Sequence, residues 1–129
     1  SRNNFVSVTN DVTRDQLTTY AVDPAVDRVA MALTETASIV YRVSAWPNAK
    51  LTIAAALTRN LQAPIGAQEG VTYRLTVTKT NASGSLTFDA IYKWPGGTAP
   101  NIAGMSTSQI CKMEFYYDGT SMLGSYFIY

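Results

Sequence analysis

With no histidine in the chain, the carboxylates are the acid–base groups left to do chemistry. The sequence has 129 residues, nine Asp and Glu together, and a single cysteine. Asp89 and Glu114 fall on the wet faces of separate expected strands and could approach one another. A glycosidase needs such a pair in a cleft, with one acid desolvated. The flanking residues suggest no cleft, so both read as solvated surface groups. A Ser-His-Asp triad, a Cys–His pair and an imidazole zinc site all require histidine. Cys111 alone makes no internal disulfide, CxxC redox pair or thiolate zinc cage. Beside Lys112 it reads as a small buried hydrophobe rather than a reactive thiol. Asp11, Asp15, Asp23 and Asp27 do not have the spacing of a calcium loop. Asn81-Ala82-Ser83 is an N-glycosylation triplet, read here as a turn. The expectation is a non-enzymatic chain without catalytic residues, cofactor or metal.

Charge points the same way. Ten Lys and Arg give a formal net charge of +1, which makes no case for nucleic acid or an anionic membrane as partner. Charged residues are 15% of the chain, against roughly 25% in an average soluble domain. No apolar run approaches the length of a membrane span. Ser1-Arg2-Asn3-Asn4 lacks the charged-then-apolar layout of a signal peptide.

The elements that must carry any site are strands. Val71, Tyr73, Leu75 and Val77 alternate with Thr72, Arg74, Thr76 and Thr78, the period of a half-buried strand. Leu86, Phe88, Ala90, Tyr92 and Trp94 repeat the pattern, with Thr87, Asp89 and Lys93 on the other face. Asn81-Ala82-Ser83-Gly84 between them reads as a hairpin turn. A third run places Cys111, Met113, Phe115 and Tyr117 inward. Asp118-Gly119 is a strong hairpin signal and returns the chain through Met122, Gly124, Tyr126 and Ile128. Ile39–Val43 and Leu51–Leu57 look extended, joined by a turn at Trp46-Pro47-Asn48. The loop Trp94–Asn101, with two prolines and two glycines, excludes regular structure.

The first third reads less sharply. Asp23-Pro24 could open a helix, but the alternation of Val29, Met31 and Leu33 favours a strand over Asp27–Thr34. A turn at Glu35-Thr36-Ala37 would pair it with Ile39–Val43. Residues 1–26 are polar, with the scattered apolar anchors Phe5, Val8 and Leu17. They read as an arm that orders against a partner. Residues 27–129 then form one all-β domain, an antiparallel β-sandwich or jelly-roll-like module of six to eight short strands.

Trp46, Trp94, Tyr92, Tyr116, Tyr126 and Tyr129 could stack on sugar rings. Half of them fall on inward faces, where aromatics supply core area. Tyr116 and Tyr129 point outward, and a subunit interface would use the same residue types.

The order of segments in the C-terminal half carries a resemblance. Gly70-Val71-Thr72-Tyr73-Arg74-Leu75 is followed by Lys93-Trp94-Pro95-Gly96-Gly97-Thr98-Ala99-Pro100, then by Phe115-Tyr116-Tyr117-Asp118-Gly119-Thr120 and a final strand. Over about residues 51–129 this resembles a small β-module of tailed-bacteriophage virion proteins, found in tail fibres, head fibres and related surface proteins. A tryptophan common in that module after Tyr-Asp-Gly is replaced here by Met122 or Leu123, which weakens a sugar-binding inference. The resemblance implies a virion protein made in the host cytoplasm, typically a homotrimer, that decorates the capsid or forms a head fibre. Its partners would be capsid or other virion proteins. The alternative it implies is a tail-fibre module recognising a host surface glycan. Trp94, Pro95, Gly96, Gly97, Pro100, Tyr116, Asp118, Gly119 and Tyr129 are then the candidate interface or ligand-loop residues. Phe5, Val8 and Leu17 would anchor the arm on the capsid.

Overall fold

The structure is a computed structural model that describes residues 30–129. The expected arm, with Phe5, Val8 and Leu17, lies outside the described residues, as does the start of the strand expected from Asp27. The described chain is all-β. Its strands are β1 (Met31–Ala32), β2 (Ser38–Ile39), β3 (Asn48–Ile53), β4 (Thr58–Leu61), β5 (Thr72–Lys79), β6 (Ser85–Phe88), β7 (Tyr92–Lys93), β8 (Cys111–Tyr117) and β9 (Met122–Ile128), with a short 3-10 turn at Pro95–Gly97 between β7 and β8.

These strands form two sheets among the described residues. The larger has the order β1-β3-β5-β8-β9-β7, and the smaller β2-β4-β6. The chain alternates between them, one strand in each per coil. Three successive coils therefore stack: β3 runs parallel to β1 and to β5, and β4 runs parallel to β2 and to β6. The winding is that of a short β-solenoid. The β8–β9 hairpin then closes the large sheet, β8 antiparallel to β5 and β9 antiparallel to β8.

This corrects the expectation of purely antiparallel pairing. Asn81–Gly84 is not a hairpin, because β5 and β6 lie in different sheets. It is a corner, closed by a hydrogen bond from Gly84 N to Asn81 O at 3.0 Å. The corner sits directly on the coil before it: a Cβ on Gly84 would lie 2.5 Å from Ile53 Cγ2 and 2.8 Å from Ala55 O. Glu35–Ala37 likewise turns the chain from one sheet to the other and does not pair β1 with β2. Of Ile39–Val43 only Ile39 enters a sheet, in β2, while Tyr41 and Val43 are buried in the core from irregular backbone. The run Leu86–Trp94 is broken at Asp89, whose Oδ1 accepts the N–H of Ile91 at 3.0 Å and fixes a turn between β6 and β7.

The Asp118-Gly119 hairpin and the inward faces of β5 and β8 agree with the alternation. Tyr73, Leu75, Val77, Cys111, Met113 and Phe115 are all buried. Residues of both sheets join one buried cluster, which includes Leu61 and Leu86 of the small sheet and Leu51 and Val77 of the large one. Each such aliphatic side chain stabilises the fold by about 1.5–3 kcal/mol. Val71 and Ile128, expected inward, are exposed at the sheet ends, where no facing strand among the described residues covers them.

Candidate ligand groove

The two sheets end differently. Past β5 the large sheet continues into β8 and β9, whereas past β6 the small sheet has no further strand among the described residues. The chain from Ala99 to Ala103 crosses opposite β6 instead. Between them lies an open groove of about 400 Å³. One wall is the whole length of Ser85–Ala90, and the other is formed by Pro100, Asn101 and Ile102 with Tyr92 and Trp94.

Lys79 sets the position of the second wall. It ends β5 on the inward register of Tyr73, Leu75 and Val77, and is 1% exposed. Its Nζ donates to Ile102 O at 2.9 Å, Ala82 O at 3.0 Å and Ala103 O at 3.4 Å. A buried ammonium is tolerated where its donors are satisfied, and here three carbonyls satisfy them. The sequence carries a signal for this residue, a lysine on the apolar side of a strict alternation, which composition alone passes over.

Trp94 makes T-shaped contacts with Phe88, Phe115 and Tyr126, at centroid distances of 4.8, 5.5 and 5.8 Å. Tyr92 is buried, and its hydroxyl donates to Gln62 O at 2.6 Å, so burial pushes its ionisation far up. Thr87 Oγ1 accepts from Asn60 Nδ2 at 2.9 Å. Asp89 is the one charged residue among the described groove-lining residues.

The structure brings together only part of the expected site. Trp94 and Pro100 line the groove, while Pro95, Gly96 and Gly97 form an exposed turn beside them. Asp118 and Gly119 do not line it. They form the β8–β9 turn beside Glu69, where the N–H groups of Ser121 and Thr120 hold the Asp118 carboxyl below its usual range. Tyr116 and Tyr129 stand exposed on the outer face of the large sheet. Tyr129 there helps line a second concavity of about 500 Å³ with Phe127, Lys112, Arg74 and Asn48.

The two carboxylates considered for acid–base work do not meet. Glu114 lies on that outer face, paired with Arg74 at 3.3 Å, and Asp89 caps its own turn. Cys111 is buried, and burial pushes its thiol up to about 11. Among the described residues there is no group of three or more His, Cys, Asp and Glu placed to hold a metal. No helix among them is long and apolar enough to cross a membrane. No family model, curated protein or solved structure matches the chain.

Proposed function

We propose that this chain is a non-enzymatic bacteriophage virion protein, a capsid decoration or head-fibre protein that binds neighbouring capsid subunits and copies of itself. The resemblance of the Trp-Pro-Gly-Gly and Tyr-Asp-Gly segments supplies the virion. The observation that carries adhesion is the outer side of β9. From Met122 to Tyr129 this strand has no charged residue. Leu123, Phe127 and Tyr129 stand 44%, 67% and 68% exposed along one face, with Tyr116 beside Leu123.

The strand also has an open edge. Tyr129 exchanges both backbone hydrogen bonds with Ile110, so by the alternation of an antiparallel ladder the polar groups of Tyr126 and Ile128 face away from β8. No described strand covers them there, since β7 pairs only with Met122 and Leu123. An uncharged apolar edge is what soluble monomers avoid. In this reading the two-sheet body, sandwich-like in sharing one core, packs against other copies, three by the resemblance.

A host glycan is the second reading, and the groove favours it less. Trp94 is partly buried among Phe88, Phe115 and Tyr126, which leaves less of the ring open to a sugar, and the Asp118-Gly119 turn lies elsewhere. The test is to mix the purified chain with mature capsids of the virion that encodes it. Saturable binding with a copy number set by capsid symmetry is expected, weakened by Phe127→Ser. Binding to host cells or lipopolysaccharide with no binding to capsids overturns the proposal in favour of the glycan reading.

A further inference from the structure

We propose that the groove beside β6 binds an extended peptide segment of a partner protein, which adds to the small sheet as its next parallel strand and places a basic residue beside Asp89. This does not rest on the particle reading above; it follows from how the small sheet stops.

In a parallel ladder, alternate residues of a strand direct both backbone polar groups to the same neighbour. The N–H of Ser85 donates to Leu57 O at 3.1 Å, and that of Asp89 to Leu61 O at 3.0 Å. Ser85, Thr87 and Asp89 therefore serve β4, in the register Thr58↔Ser85 to Leu61↔Phe88. Leu86 and Phe88 must direct their N–H and C=O the other way, into the groove. No described strand lies on that side of β6, and no turn or loop hydrogen bond among the described residues reaches these groups, although Leu86 is only 3% exposed. Unpaired backbone groups at a buried residue cost free energy unless something satisfies them. A strand laid along β6 satisfies them in the way each earlier coil satisfied the last.

The walls state the chemistry of that strand. Its residues above Leu86 and Phe88 meet Tyr92, Trp94 and Ile102, so they are apolar. Those above Thr87 and Asp89 face outward. The opposite wall is uncharged, since Trp94–Ile110 contains no Lys, Arg, Asp or Glu. Asp89, at the C-terminal end of β6, is thus the one charge the described walls offer, and it complements Lys or Arg at the C-terminal end of a parallel strand. Backbone pairing gives affinity and the alternating positions give specificity, as in other cases of strand addition to a sheet edge.

The test uses the full chain and the capped peptide acetyl-Thr-Val-Thr-Leu-Thr-Phe-Lys-amide. In parallel register this peptide sets Phe over Phe88 and Lys over Asp89. Residue-resolved amide exchange is read with and without it. Saturable binding is expected, with protection of the Leu86 and Phe88 amides rising about tenfold or more while those of Ser85 and Thr87 change little. Methylating the peptide nitrogens that face β6 weakens binding by about tenfold or more. Asp89→Asn, which keeps the turn hydrogen bond to Ile91, weakens it by roughly threefold to tenfold.

Several results overturn the proposal: Leu86 and Phe88 amides already protected in the free chain, no saturable binding up to millimolar peptide, or equal binding of the methylated peptide. Protection that rises with chain concentration alone makes the occupant a second copy. Displacement of the peptide by an oligosaccharide that shifts the same resonances makes the groove a sugar site.

Discussion

The indole of Trp94 occupies the space that Gly124 leaves on the inner face of β9. A Cβ on Gly124 would lie 2.8 Å from Trp94 Cζ3 and 2.9 Å from Cε3. Gly124 is not among the glycines at positive φ, so its backbone would accept another residue. What excludes a side chain is the ring. Gly124→Ala is expected to destabilise the chain by about 1–3 kcal/mol, the usual cost of overpacking a filled site. Urea unfolding measures the loss, and a shift in the emission of Trp94 in the folded state locates it. Unchanged stability and emission would mean that the ring moves aside freely.

Lys79 gives a second prediction. Lys79→Met keeps most of the stem volume but leaves the carbonyls of Ala82, Ile102 and Ala103 without their donor. A loss of about 2–4 kcal/mol is expected, because removing one partner strands buried acceptors. The loop should loosen before the sheets do, so limited proteolysis near Ile102–Met105 is expected to accelerate more than global unfolding accounts for. If cleavage merely tracks global stability, the ammonium does not fix the groove wall.

How much of this was legible in the sequence divides by the range of the interaction. Strand alternation is local, so β5, β8 and β9 and the Asp118-Gly119 hairpin could be read directly. The pairing of coils is not local. Met31 meets Ala49 but Asn48 meets Arg74, and Ser38 meets Asn60 but Thr58 meets Ser85. These offsets differ, so no repeat period marks the stacked coils. A corner such as Asn81–Gly84 has the composition of a hairpin turn, and only Ile53 beneath Gly84 distinguishes the two. For the same reason Trp94 and Pro100 could be named as neighbours within one loop. The free edge of β6 could not be named, because it depends on where the small sheet ends.

Cys111 opens β8 and is flanked on both sides within the large sheet, by Val77 of β5 and Ile128 of β9. Burial holds its thiol near 11 and removes it from solvent. At pH 8 the reactive thiolate is then scarce as well as inaccessible. Carboxamidomethylation by iodoacetamide is expected to run roughly a hundredfold slower in the folded chain than in urea, with a rate that follows unfolding. Rapid labelling under native conditions would show that β8 opens independently of the rest.

Glu35 joins the first coil to the second, and its pH dependence can be given a sign. Its Oε1 accepts the N–H of Ala54 at 2.9 Å, and its Oε2 accepts that of Ala55 at 3.2 Å and Arg59 Nε at 3.0 Å. Burial by itself raises the carboxyl, but these donors together outweigh it and hold the group below its ordinary value of 4.5. The folded value is the lower one, so ionised Glu35 stabilises the fold above pH 4.5, and this contribution fades as pH falls through the folded value. Glu35→Gln keeps one acceptor oxygen but loses the charge. It is expected to cost about 1–2 kcal/mol at pH 7 and much less once the wild-type carboxyl is protonated. The check is the difference in urea midpoint between the two chains, measured from pH 7 to pH 3. It should narrow only below pH 4.5, and a difference that stays constant across that range would place the stabilisation in shape rather than charge.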